Sequence, residues 1–61
     1  MNWTYYKEED GCLVRIDYER DIRESMYVPH NIWRRDRFWD NEIIEQLCVK
    51  ITEEEAFAEM L

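Results

Sequence analysis

The sequence contains few of the residues that build flexible loops, metal sites or redox motifs. Among 61 residues there are one Gly, one Pro and one His, and the two cysteines, Cys12 and Cys48, form no CxxC pair. One imidazole and two distant thiols cannot complete a structural zinc site in one chain, so we expect no metal and no other cofactor. We expect both cysteines to be reduced and to act as small buried hydrophobic residues, with a disulfide as the alternative. A single Gly also excludes a Gly-rich phosphate-binding loop.

The chain also lacks long apolar runs and an excess of positive charge. No apolar stretch approaches the roughly 20 residues that span a bilayer, and no basic segment precedes an apolar one near Met1. We therefore expect no membrane contact and a cytoplasmic location. Fifteen acidic residues against eight basic ones give a formal net charge of −7, which argues against direct binding to duplex DNA. The length allows one domain, residues 1–61.

The N-terminal part of the sequence predicts a β-hairpin. Asp10-Gly11 is a dipeptide that two-residue type I′ turns favour, because both central residues of such a turn have positive φ. A turn centred there places Tyr5 opposite Ile16. It also gathers the apolar residues of both strands on one face, which would carry Trp3, Tyr5, Cys12, Val14, Ile16 and Tyr18. We expect this register because a slip by one residue would move Trp3 and Tyr5 to the other face.

The rest of the chain predicts one more strand and then helices. Alternating apolar residues favour a third strand over 23–28 that Pro29 stops. Asp40 is a candidate cap for a short helix, and Thr52 with Glu55 forms the capping-box pattern at the start of a second one. Residues 49–51 fit either a short strand or a linker. The predicted fold class is α+β: an antiparallel sheet of three or four strands with one or two C-terminal helices packed on one face.

Catalysis has little support in the sequence. The available nucleophiles are Ser25 and the two cysteines, and His30, the one imidazole, follows Pro29 in a turn. Nucleophilic catalysis needs a nucleophile, a base and a group that orients the base, and no pattern supplies all three. We therefore expect a protein that is not an enzyme and has no catalytic residues.

One segment combines aromatic and basic side chains. Three aromatic residues and three arginines fall within positions 33–39, and these residue types are enriched at binding hot spots. The interface or ligand-binding candidates are Trp33, Arg34, Arg35, Arg37, Phe38 and Trp39. Three alternatives remain open here: packing on the hairpin with the arginines paired to acidic residues, contact with a protein partner, or stacking of a nucleobase. Nine aromatic residues in so short a chain also predict a homodimer whose seam includes Trp33, Phe38 or Trp39.

The sequence is acidic from position 40 onward. Carboxylates spaced along a rigid surface can imitate the phosphates of DNA and occupy a basic groove, although many acidic surfaces serve only solubility. The partner-binding candidates are Asp40, Glu42, Glu45, Glu53, Glu54, Glu55 and Glu59.

Several short motifs give the chain a family resemblance. They are Tyr5-Tyr6-Lys7, the Asp10-Gly11 turn, the strand 12–17, a lone downstream Trp, and Ile51-Thr52-Glu53-Glu54-Glu55-Ala56. In this order they resemble small uncharacterised proteins of Firmicutes and of their phages and mobile elements. The resemblance brings no established activity. It implies a setting in which small acidic proteins inhibit host or defence machinery, anti-CRISPR proteins among them.

The sequence therefore leads us to expect a small acidic, non-catalytic protein-binding module. Its expected partner is a basic protein that handles nucleic acid. The module would act on this partner as an inhibitor or as an adaptor, and one form of the hypothesis is that it binds as a DNA mimic. Two alternatives are a sponge that binds a nucleotide signal through the segment 33–39, and a self-associating structural module with no further ligand.

Overall fold

Five antiparallel strands form one sheet in the computed structural model, which describes all 61 residues. The strands are β1 (Thr4–Glu8), β2 (Cys12–Asp17), β3 (Ile22–Tyr27), β4 (Arg34–Arg35) and β5 (Cys48–Ile51), and the helices are α1 (Asn41–Leu47) and α2 (Glu53–Glu59). A single 3-10 turn, Val28–His30, follows β3. The strand order is β4-β3-β2-β1-β5, so β4 and β5 are the edges of the sheet. Neither helix is long and apolar enough to cross a membrane.

The hairpin of β1 and β2 is present, but the predicted register is wrong by one residue. Tyr5 lies opposite Arg15 and not opposite Ile16. The loop has three residues instead of two, because the Gly11 amide donates to the Glu8 carbonyl at 3.2 Å and Gly11 alone in the loop has a positive φ, +96°. A type I turn followed by a bulged Gly has this geometry, and it needs one positive φ where a type I′ turn needs two.

The shift separates side chains that were predicted to share a face. Val14 and Ile16 point to one face of the sheet, where they form the core cluster with Trp39 and Ile44. Tyr5 points to the other face, since successive residues of a strand alternate. It is nevertheless 5% exposed, because that second face is covered too. The predicted single apolar face is therefore wrong, and the sheet buries side chains on both sides.

Each helix covers its own face of the sheet. Ile44 of α1 joins the cluster of Val14 and Ile16. On the opposite face, the ring of Phe57 in α2 packs edge-on against Tyr5, with 6.0 Å between ring centroids. The α+β class is confirmed, with five strands in place of three or four and with the helices divided between two faces instead of sharing one.

The local signals for element ends are confirmed. The Asp40 carboxylate accepts from the Ile43 amide at 2.9 Å at the start of α1. Thr52 and Glu55 form both hydrogen bonds of the capping box, each 3.0 Å long. The third strand is β3, which ends two residues before Pro29. Residues 49–51, for which strand and linker were both open, lie in β5 and pair with β1.

A buried carboxylate organises the turn between β2 and β3. Asp17 is fully buried and accepts four hydrogen bonds: from the amides of Asn2, Glu19 and Arg20, and from the Arg20 guanidinium at 3.0 Å. Burial by itself raises the pKa of Asp17, but the hydrogen bonds from Arg20 and Asn2 outweigh it and hold the pKa below its ordinary value. Asp17 therefore stays charged inside the fold.

Candidate protein-interaction surface

The aromatic and basic segment 33–39 does not form one surface. Trp39, predicted as an interface residue, lies in the core and is 6% exposed. Its indole Nε1 donates to Asp36 at 3.1 Å, and the same carboxylate oxygen accepts from the Ser25 hydroxyl at 2.9 Å. Arg23 also donates to the Trp39 carbonyl, at 2.7 Å. Trp39 therefore belongs to the hydrophobic core on the α1 face of the sheet.

Trp33 lies on the opposite face of the sheet, in a stack that the sequence did not predict. The Arg15 guanidinium carbon is 4.2 Å from the ring centroid of Trp33 and 4.3 Å from that of Trp3. We call these three residues the tryptophan–arginine stack. Glu24 accepts from Arg15 Nε at 2.8 Å and also lies 3.4 Å from Arg35 Nε. Arg15 therefore already occupies one face of each indole ring, and Arg35 is paired inside the chain.

Four residues of the segment remain at the surface, and the paired Arg35 is one of them. Phe38 is 57% exposed and touches Trp39 edge-on. Arg37 is exposed and lies 3.8 Å from Asp21. Arg34, on the edge strand β4, takes part in no ion pair.

The seven predicted acidic residues also fall into two groups. Three have partners inside the chain: Asp40 caps α1, Glu55 completes the capping box, and Glu59 lies 2.6 Å from the ammonium of Lys7. The other four are exposed and take part in no ion pair; they are Glu42, Glu45, Glu53 and Glu54. These four carboxylates are free to meet a partner.

Charge pairing inside the chain is strongly asymmetric. Of the eight basic side chains, only Arg34 and Lys50 take part in no ion pair. The six that pair converge on four acidic residues, so eleven of the fifteen carboxylates are left without a cation. The four paired acidic residues are Asp17, Asp21, Glu24 and Glu59. Side chains outside any internal ion pair are therefore mostly acidic, although Arg35 and Arg37 stay exposed within their pairs.

An acidic groove runs beside the edge strand β5. The β1–β2 turn, the end of α1 and the start of β5 enclose about 510 Å³. Its carboxylates are Glu8, Glu9, Asp10 and Glu45, and its exposed apolar side chains are Leu47 and Val49. Its one cation, Lys7, is held by Glu59. Three acidic residues in a row at the turn were visible in the sequence, but their approach to Glu45 depends on the pairing of β1 with β5.

The thiol of Cys48, which lines this groove, is a poor nucleophile. Burial, followed by the charges of Glu8 and Cys12, raises the pKa of Cys48 to about 11. Burial also raises the pKa of Cys12. Both thiols are free and pack against the core cluster. A thiol whose pKa is raised is a poor nucleophile at neutral pH, because the thiolate is the reactive form.

Comparison of the chain with protein-family models, with curated proteins and with solved structures finds no match. The surface itself offers carboxylates and exposed apolar side chains next to a strand edge. Such groups bind cationic and apolar partners by charge and contact.

Proposed function

We propose that this protein is a small non-catalytic binding module that docks on a basic protein and acts as its inhibitor or adaptor. The asymmetry of ion pairing is the observation that carries the proposal, since eleven carboxylates and only two basic side chains take part in no ion pair inside the chain. Unneutralised charges of one sign steer and select partners of the other sign. Proteins that handle nucleic acids carry basic surfaces of this kind, and in the cytoplasm of a phage-infected bacterium they are natural targets.

The position of the free carboxylates supports imitation of a nucleic acid. Glu42 and Glu45 lie on α1, on one face of the sheet, and Glu53 and Glu54 lie on α2, on the other. Both helices flank β5, one before it and one after it in the chain. The acidic surface thus wraps around one edge of the sheet, and a concave basic groove would contact both sides of it.

The experiment that tests this function is affinity capture at two salt concentrations. The tagged protein is incubated with a lysate of a Firmicutes host, and captured proteins are identified by mass spectrometry. We expect a basic nucleic-acid-handling protein that is retained at low salt and lost at about 0.5 M salt, because screening shortens the reach of surface charges. The variant Glu54→Lys should capture less of it.

The matched control is Glu19→Lys, which makes the same charge change on an exposed residue of the β2–β3 loop. Circular dichroism establishes that both variants fold. Capture that is equal for the two variants, or that persists at high salt, would contradict the proposal.

We also propose that the protein forms a homodimer. The exposed Phe38 and the half-buried Trp33 can take part in a seam, whereas Trp39 is held inside the core. Sedimentation at micromolar concentration measures this directly, and a species of 7.7 kDa would overturn it.

A further inference from the structure

Of the two edge strands of the sheet, β5 is the longer, with four residues against two in β4. β5 pairs with β1 on one side and with no strand on the other, so alternate backbone N–H and C=O groups on its outer side have no strand partner. Val49 within β5 is 63% exposed and Leu47 just before it is 51% exposed. Lys50, the next residue of β5, is exposed as well.

The two sides of the open edge differ in chemistry. Val49 pairs with Lys7 and therefore projects toward the α2 face, at the border of the acidic groove that both residues also line. Phe57 of α2 is half exposed on that face. Cys48 pairs with Glu8 and lies on the α1 face, beside the carboxylates of the acidic groove. An added strand would therefore direct apolar side chains to one face and basic side chains to the other, with a period of two.

We propose that β5 accepts an extended, basic segment of the partner as a sixth strand of the sheet. This inference rests on the proposed function and adds the site and mode of binding. Main-chain hydrogen bonds to β5 supply part of the affinity, and the side chains that alternate between the acidic groove and the Val49–Phe57 side select the segment.

Charge selects this occupant over a second copy of the chain. Pairing of two β5 edges would join two molecules of net charge −7 and bring their acidic grooves to one seam. Like charges that face each other across paired strands destabilise the pairing. A basic segment meets the groove with the opposite sign.

Lys50 refines the specificity of the edge. It lies on the same face as Cys48, two residues further along β5, and takes part in no ion pair. It therefore repels a basic side chain placed next to it, while Glu8 and Glu45 attract one placed beside Cys48. The preferred segment carries its positive charge at the end nearest the β1–β2 turn.

The test uses a capped heptapeptide of alternating Lys and Val as the probe. Binding is followed by amide chemical shifts and amide hydrogen exchange of the ¹⁵N-labelled protein. We expect shifts and added protection centred on β5. Two further peptides carry N-methyl groups on alternate amides, which blocks the N–H donors along one edge of the extended peptide. The first peptide is blocked along one edge and the second along the other. One version should bind about tenfold more weakly, since it loses its hydrogen bonds to β5, and the other should bind like the parent.

Matched variants separate a local effect from the net charge. Lys50→Glu should tighten binding of the probe about threefold or more, whereas Arg34→Glu, the same charge change on the opposite edge strand, should not. Glu45→Lys should weaken binding, and Glu42→Lys on the same helix should have less effect because Glu42 lies outside the groove.

The possible outcomes keep the two proposals apart. Equal binding of both N-methylated peptides, or equal effects of Lys50→Glu and Arg34→Glu, would show association by charge alone and overturn strand addition. The proposed function would survive that result if capture of a basic protein remains sensitive to salt. An absence of probe binding, or a dimer whose β5 amides are protected without peptide, would also overturn strand addition.

Discussion

Replacing Trp33 by Ala tests whether this side chain serves the fold or a partner. In the structure one face of its ring is occupied by the Arg15 guanidinium at 4.2 Å, and it lies 6.3 Å from the ring of Tyr5. Both contacts are internal to the chain. We therefore expect Trp33→Ala to lower the free energy of unfolding.

The size of the effect follows from these two contacts. A cation–π contact contributes about 0.5–1 kcal/mol when exposed and about 2 kcal/mol when desolvated. An aromatic pair adds about 0.5–1.5 kcal/mol. Because Trp33 is half-buried, the sum should be about 2 kcal/mol, which corresponds to a fall in melting temperature of roughly 8–16 °C for a domain of this size.

Urea denaturation followed by far-UV circular dichroism measures this loss without depending on tryptophan fluorescence. A double-mutant cycle with Arg15→Met then isolates the contact between the two side chains, and we expect a coupling of about 0.5–1 kcal/mol. Phe38→Ala is the control within the same segment. Phe38 is 57% exposed and makes one edge-on contact with Trp39, so its loss should cost about 1 kcal/mol or less.

A change of less than about 0.5 kcal/mol for Trp33→Ala, with no coupling to Arg15, would refute this reasoning. The stack of Trp3, Arg15 and Trp33 would then contribute nothing to the fold, and the ring of Trp33 would be available to a ligand. Loss of partner capture by a fully folded Trp33→Ala protein would also indicate that Trp33 serves a partner and not the fold.

Four further perturbations test other parts of the fold. Gly11→Val should cost more than about 1 kcal/mol in urea denaturation, because a β-branched residue is strained at φ +96°, and Gly11→Asn should cost less. Thr52→Ala removes one bond of the capping box and should cost about 0.5–2 kcal/mol by the same assay. The pKa of Asp17 is lowered in the fold, because its hydrogen bonds outweigh its burial. The charged carboxylate should therefore stabilise the fold fully above about pH 4, and this stabilisation should be lost as the pH falls through the lowered pKa. Asp17→Asn should remove this pH dependence and flatten the acid side of a plot of melting temperature against pH. Cys48, whose pKa is about 11, should react with iodoacetamide at pH 8 roughly a hundredfold more slowly than a thiol of pKa 9, as site-resolved mass spectrometry would show.

The features that the sequence predicted correctly depend on neighbouring residues. Asp40 and Thr52 cap the helices because each side chain reaches an amide three positions ahead. Pro29 ends the third strand within two residues because it lacks an amide hydrogen. Each of these signals is complete within a few positions, and no distant part of the chain is needed to interpret it.

The hairpin register was mispredicted because the turn sequence permits two loops. Asp10-Gly11 suits both a two-residue type I′ turn and the end of a three-residue loop, and the structure has the second, with Asp10 at negative φ. The apolar pattern was expected to decide between them on the assumption that one face is solvated. With helices on both faces, Tyr5 is buried on one and Val14 on the other, so the assumption failed.

The candidate surface depended on distant pairings that no local pattern shows. Arg15 of β2 meets Trp3, Glu24 and Trp33 because β1, β3 and β4, which carry or directly follow these residues, lie together with β2 in the sheet. The acidic turn approaches Glu45 because β5 returns beside β1.

The use of cations inside the fold connects stability to function. Arg15 forms an ion pair with Glu24, and Arg20 forms one with the buried Asp17. Lys7 of β1 forms an ion pair with Glu59 of α2. Six of the eight basic residues take part in such pairs, so the charges outside ion pairs are eleven negative and two positive. The three arginines of the segment 33–39 stay exposed, but Arg35 and Arg37 lie beside Glu24 and Asp21, and only Arg34 has no acidic partner. The proposed recognition of a basic partner would then depend on which charges the fold leaves unpaired, more than on the total number of acidic residues.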